Sequence, residues 1–252
     1  MKQYVLPFIP SDNNEYNLTG NDFHYLIHVR RYTEKHEIPA IDRNGERWKI
    51  KFLKISADSC RIRTERIIVE LTENSGISVT LMPAMLKGKN MDLVIRQAVE
   101  SGASEILPVI TEYTQIKLNG EYDIQNKMTR WNKIITSAVQ QSGTEKITTV
   151  EKPVKLEVLL ENRSKEDLIL FFHEKEINNP PLHKALEQAG GNIGILIGPE
   201  GGFSPSEVSL LMDNNAVPVY LGKRVLRAET AAVFAMGAVT TLIREKPVWQ
   251  TV

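Results

Sequence analysis

The chain has 252 residues, 31 basic and 31 acidic side chains, 42% apolar residues and one cysteine. That length and apolar content suffice for one large domain or two modest ones with a sizeable core. Balanced charge argues against a globally basic nucleic-acid binder, while the lone Cys60 excludes an internal disulfide and a cysteine-rich zinc site, so no metal is implied.

Residues 1 to about 72 read as a small β-rich domain. The N-terminal stretch lacks the apolar core of a signal peptide, and apolar runs such as Ala231–Val239 are too short to span a membrane, so a cytoplasmic protein is expected. Within Phe23–Arg31, His24 and His28 fall at helical spacing; lacking a third ligand, they read as a packed or exposed helical face. Asn44-Gly45 signals a hairpin. After it Trp48, Ile50 and Phe52 alternate with Lys49 and Lys51, and further on Cys60, Ile62 and Thr64 alternate with Arg61 and Arg63. A period of two sends the apolar set to one face and the four cations to the other. Between Arg43 and Arg66 eight basic residues meet three acidic ones, which offers phosphate contacts; taken alone, such a face reads as a solvated surface.

A polar, turn-prone stretch at 72–76 closes this part. From 73 to 252 strands and helices alternate, the pattern of an α/β domain with a mostly parallel sheet and helices on both faces. Ile77–Met82 reads as a strand, 91–101 as a helix capped by Asn90, and Ile106–Ile110 as a strand. A helix over 126–142 carries Trp131, Ile134, Ile135, Ala138 and Ser142 along one stripe. A helix near 154–161, the strand Asp167–Phe172, a helix near 181–189 and a final helix over 229–244 complete the reading.

Two apolar runs near the end stop abruptly in glycine-bearing turns: Ile195–Ile197 before Gly198-Pro-Glu-Gly-Gly202, and a second run before Leu221-Gly-Lys-Arg-Val-Leu-Arg227-Ala-Glu-Thr230-Ala231. Ser204, Pro205 and Glu207 form a capping box that starts the following helix and holds the first turn rigidly. One such run is an ordinary surface turn. Two at corresponding strand ends favour a ligand gripped by backbone groups, since loops at the carboxyl edge of parallel strands hold small ligands. Neither a Walker A nor a Gly-x-Gly-x-x-Gly pattern is present, which disfavours a nucleotide hydrolase.

Gly198–Phe203 and Leu221–Ala231 resemble the two cofactor loops of the SPOUT class of methyltransferases, and the order of segments along nearly the whole chain resembles its RsmE family. The resemblance implies a deep trefoil knot clasping S-adenosylmethionine, a PUA-like N-terminal domain of β-barrel type, and methylation of a uridine N3 in 16S ribosomal RNA of the small ribosomal subunit. It further implies a homodimer with each site near the subunit interface. Carried onto this chain, the cofactor-binding set is Phe172, Ile197, Gly198, Pro199, Glu200, Gly201, Gly202, Leu221, Gly222, Val225, Leu226, Arg227, Thr230 and Ala231. The RNA-binding set is Arg30, Arg31, Lys49, Lys51, Arg61, Arg63, Lys87 and Lys89. Gln97, Gln140 and Thr144 depart from the family's frequent lysine, glutamate and arginine, and Arg30 stands where leucine is common.

The reaction itself selects the catalytic residues. Uracil N3 carries a proton at neutral pH, so methylation there requires proton removal or stabilisation of the anion. Arg227 is the leading residue for that stabilisation, Arg224 a second, and Glu229 accepts a proton, orients an arginine, or is simply a first-turn helix acid. His173, ending a strand beside the turns, reads as a neighbour of the site. Two other readings stay open: a SPOUT enzyme acting on another RNA such as transfer RNA, and a non-catalytic RNA-binding assembly factor.

Overall fold

The computed structural model describes residues 2–68, 76–144, 146–162, 168–177, 179–187 and 189–249. The expected turn at 72–76, Gly76 apart, and the expected strand start at Asp167 lie outside them. The chain divides into two compact units, Met1–Thr72 with Val139–Ile147, and Glu73–Ala138 with Thr148–Val252.

The first unit is a five-stranded sheet. Its strands are β1 (Tyr4–Val5), β2 (Asn14–Thr19), β3 (Glu37–Ile41), β4 (Arg47–Ile55) and β5 (Ser59–Arg66), in the order β1-β3-β4-β5-β2. Only the β1–β3 pair is parallel. Asn44-Gly45 makes the β3–β4 turn, where buried Asp42 collects three donors: the Asn44 N–H at 2.8 Å, the Glu46 N–H at 3.0 Å and the Trp48 indole N–H at 3.0 Å. The alternation holds, for Trp48, Ile50, Phe52, Cys60, Ile62 and Thr64 are all buried. Between β2 and β3 lies a helical segment, α1 (Gly20–Phe23), that widens into a π-helical stretch over His24–Val29 and ends at Arg31 in the left-handed region, φ 59°. His24 and His28 stack on it with ring centroids 5.3 Å apart. Residues 139–147 join this unit because Gln140 O accepts from the Lys2 and Gln3 N–H groups, and the Gln3 amide donates to Val139 O and Thr144 O.

The second unit is built on six parallel strands in the order β13-β11-β12-β6-β7-β9. They are β6 (Ser78–Pro83), β7 (Glu105–Ile106), β9 (Thr149–Val150), β11 (Leu168–His173), β12 (Asn192–Ile197) and β13 (Val217–Tyr220). β8 (Val109–Ile110) and β10 (Val154–Lys155) pair separately. The expected single strand at 106–110 is thus two, split at Leu107-Pro108, since proline cannot donate to a ladder. The helices are α2 (Lys89–Glu100), α3 (Gly120–Ser142), α4 (Leu156–Asn162), α5 (Leu182–Glu187), α6 (Pro205–Asp213) and α7 (Ala228–Trp249). Asn90 is not the cap of α2: Gly88 is, at φ 47° and ψ −119°, a conformation glycine adopts readily, and Asn90 lies inside the first turn. α3 starts at Gly120, six residues before the expected 126.

Successive side chains of β11 and β12 point to opposite faces. Ile169, Phe171 and Leu196 pack with Leu156, Leu159 and Leu160 of α4 and Leu211 of α6. α7 packs against α2, β6 and β12. Both faces are therefore covered, which is why these strands read as continuous apolar runs rather than alternating ones.

Candidate active site

At the carboxyl end of the sheet, β11, β12 and β13 run in register, with Phe172 opposite Ile197 and Val219, so the segments that follow them leave one edge together. After β12, Gly202 N–H donates to Pro199 O at 2.9 Å, closing a turn whose last residue is at φ 70°. Phe203 anchors the turn beneath, its ring edge-on to Phe171 at 6.2 Å. That anchor explains Gly198, where an added Cβ meets the Phe203 ring at 3.2 Å. The capping box then locks the exit: Glu207 N–H donates to Ser204 Oγ at 3.2 Å, and Ser204 N–H donates to Glu207 Oε2 at 2.9 Å. The other carboxylate oxygen accepts from the Glu112 N–H at 2.7 Å, tying the segment after β8 to the first turn. After β13, Gly222 sits at φ 99°.

These turns enclose a cavity of about 360 Å³. Phe172, Ile197, Gly198, Pro199, Glu200, Gly202, Leu221, Gly222, Val225, Leu226, Arg227 and Ala231 line it, and so do Arg224 and Glu229. Two residues of the expected set stand apart. Gly201 backs onto Tyr113, whose Cβ lies 3.3 Å from where a Gly201 Cβ would be, and Thr230 is exposed on α7 outside the lining. The lining also includes Asn90, His173, Glu174, Phe203 and Ala228. Phe203 and Ala228 fall inside the two loop motifs and His173 reads from the sequence as a neighbour of the site, so a sequence signal for them existed; Asn90 reaches the cavity because α2 packs beside α7, which no local pattern reveals.

Electrostatically the cavity is mixed. Arg224 and Arg227 are exposed at its rim, and among the described residues neither forms an ion pair. Burial pushes the His173 imidazole below its ordinary 6.5, outweighing the opposite pull of Glu174, so the ring is neutral at physiological pH. Gly202 and Gly222 have open space where a side chain would begin. Both line the cavity without a side chain, and the volume lies in the range of about 300–1,000 Å³ usual for small-molecule sites.

The cationic faces are distributed differently from the sequence expectation. Lys49 and Lys51 reach Glu37 at 3.5 and 3.4 Å, Lys51 reaches Glu65 at 2.7 Å, and Arg63 reaches Glu15 at 2.8 Å. The Lys51–Glu65 contact raises the lysine pKa and lowers that of the carboxyl. The sheet face is therefore largely neutralised, because Glu15 and Glu37 arrive from strands outside the 43–66 window. Lys87 and Lys89 are exposed around Gly88.

A parallel sheet with paired glycine turns and an arginine-rimmed cavity at its carboxyl edge defines an α/β ligand-binding domain, and comparison with known proteins gives its class. Residues 73–240 match the model of an RNA methyltransferase domain, and residues 18–65 that of an RNA methyltransferase PUA domain. Ribosomal RNA small subunit methyltransferase E of Synechocystis is 30% identical over 230 residues, 90% of this chain and 73% of that protein. The same-named protein of Bacillus subtilis is 26% identical over 251 residues, covering 95% and 96%. The crystal structure of ribosomal RNA small subunit methyltransferase E from Neisseria gonorrhoeae bound to S-adenosyl methionine superposes with a TM-score of 0.81 at 25% identity, covering 96% of this chain and 98% of that one. The chain belongs to the ribosomal RNA small subunit methyltransferase E family.

Proposed function

We propose that the protein methylates N3 of a uridine in 16S ribosomal RNA, with S-adenosylmethionine as donor. The observation that carries this reading is the shared cavity of the two glycine turns, rimmed by Arg224 and Arg227, in a family member whose Neisseria relative is solved with that cofactor. Bound there, S-adenosylmethionine supplies a methyl group activated by its sulfonium charge. Backbone groups of Gly198–Gly202 and Leu221–Leu226 would hold its adenosine, against apolar walls from Phe172, Ile197 and Leu226. His173, kept neutral, adds no repulsion to a sulfonium.

Alignment of the target nitrogen with the methyl is most of the catalysis. The N3–H bond must break before or as the new N–C bond forms, and the methyl's C–S bond to the sulfonium breaks in that same displacement, leaving a neutral thioether. Arg227, permanently charged and unpaired among the described residues, stabilises the resulting uridinate. Arg224 assists it, and Glu229 in the cavity wall receives the proton.

The PUA-like unit at 1–72 binds the RNA in this reading, with the methyltransferase domain at 73–252. β13 lies beyond β11 while the chain returns through α7 to β12 and β6, an order that supports the threaded trefoil knot of the class. A homodimer is supported by the α7 stripe Thr230, Phe234, Gly237 and Thr241, spaced four, three and four residues apart and exposed, with Phe234 55% and nearby Val225 77% accessible. No described helix is long and apolar enough to cross a membrane, and cytoplasmic ribosomal subunits are the substrate source. The test is mass-spectrometric nucleoside mapping of 16S RNA with and without the gene. Loss of one N3-methyluridine is expected, and an unchanged small-subunit map refutes the assignment.

A further inference from the structure

Among the cations of the N-terminal unit the structure separates two populations. On the outward sheet face Lys49 and Lys51 are matched by Glu37 and Glu65, and Arg63 by Glu15, at 2.7–3.5 Å, while Arg61, the fourth cation of that face, is not. A second group is unmatched. Arg30, Arg31, Lys35, Lys54 and Arg61 are all exposed and form no ion pair among the described residues, as is true of Arg43, which stands alone at the opposite β3–β4 turn.

Packing gathers the first five at one end of the sheet. The segment after the π-helical stretch lies along the far end of β4: the Tyr32 ring packs on Phe52 with centroids 5.7 Å apart, and Ile55 N–H donates to Glu34 Oε1 at 2.9 Å. Lys54 on β4 is in register with Arg61 on β5, beyond the bulge that follows Phe52. The left-handed backbone of Arg31, φ 59°, turns the chain between the two arginines and Tyr32. Three carboxylates share this end, Glu34, Asp58 and Asp22, the last on α1 where β2 leaves its Thr19–Ser59 pairing. Five cations against three anions leave a net positive patch, whereas the three paired cations of the sheet face meet three anions of their own.

We infer that this end patch, and not the ion-paired middle of the sheet face, is where the protein grips the ribose-phosphate backbone of RNA. The inference rests on the proposed RNA substrate and deepens it by assigning the contact residues. A cation already held by a carboxylate releases little on meeting a phosphate, because one ion pair replaces another. An unpaired exposed cation gains the contact and displaces counterions from the RNA. The backbone is thereby positioned without base choice.

The test compares removal of unpaired cations with removal of whole ion pairs in the full-length protein, using a fluorescein-labelled single-stranded oligouridylate and titrating salt. Arg30→Ala/Lys54→Ala/Arg61→Ala removes three unpaired cations. It is expected to weaken binding about tenfold or more and to flatten the log Kd against log[salt] slope by about 2, at roughly 0.7 per lost single-strand phosphate contact. Lys49→Ala/Glu37→Ala/Lys51→Ala/Glu65→Ala removes the paired charges together and is expected to leave affinity and slope unchanged. Lys54→Glu/Arg61→Glu, at exposed positions, extends the loss if the patch is right. Equal losses in both sets, losses only in the sheet-face set, or wild-type behaviour of the end-patch set overturn it, the last pointing to a protein partner instead. Calorimetry with S-adenosylmethionine checks that each variant keeps its second unit intact. The expected pattern in a protein that leaves uridine N3 unmethylated supports the patch while overturning the methylation assignment.

Discussion

Glu207 joins three parts of the second unit, and its removal has a calculable effect. The side chain is 6% exposed, and its two oxygens accept from the Ser204 and Glu112 amides at 2.9 and 2.7 Å. Hydrogen bonds to a charged group contribute about 1.5–3 kcal/mol each, and both amides lose their acceptor in Glu207→Ala, so destabilisation of about 4 kcal/mol is expected. For a chain of this length that lowers the melting temperature by about 8–16 °C. Glu207→Gln retains one acceptor and turns an N–H donor toward the other amide, so it recovers no more than half. Because Ser204 immediately follows the first glycine turn and Phe203, the loosened turn must be ordered on binding, and cofactor affinity falls about tenfold, or 1.4 kcal/mol. Differential scanning calorimetry and cofactor titration read the two effects. An unshifted transition in Glu207→Ala, with unaltered affinity, refutes the view that this carboxylate holds the turn.

Arg227→Ala is expected to cut single-turnover methyl transfer by about 10²–10³ while leaving cofactor affinity near wild type, as loss of one charge stabiliser does; equal rates dismiss Arg227 from catalysis. Gly222→Val places a branched side chain at φ 99° in the lining of the cavity, at a strain of roughly 1–3 kcal/mol, so calorimetry is expected to detect weakened cofactor binding beyond the change in melting temperature. Because burial depresses the His173 pKa, the native state takes up fewer protons than the unfolded chain below the ordinary value of 6.5. Stability is thus lost as pH falls through that value, and His173→Asn should make the decline between about pH 7 and pH 5 shallower in thermal melts. Burial pushes the Cys60 thiol up to about 11, so iodoacetamide at about pH 8 should label it only after denaturation, as intact-mass measurement checks.

Several features of this fold are written locally. Ser204, Pro205 and Glu207 sit within four residues of one another and form the capping box that their order announces. Trp48, Ile50 and Phe52 face the core because a period of two leaves no other choice. The two glycine turns are legible for a similar reason, since an apolar run that stops at glycine marks both a strand end and a bare backbone.

Contacts between distant segments are not written in any window. The basic count between Arg43 and Arg66 omits Glu15 and Glu37, which strand pairing carries opposite Arg63 and Lys51. Gly201 and Gly202 are adjacent in a turn, yet only the packing of Tyr113 decides that one backs onto a side chain while the other borders the cavity. Asn90 likewise enters the cavity wall because α2 lies against α7. Backbone preference and alternation act over a few residues and so survive in the sequence alone. Ion pairing and cavity lining depend on register and packing between elements far apart in the chain, and only the tertiary structure decides them.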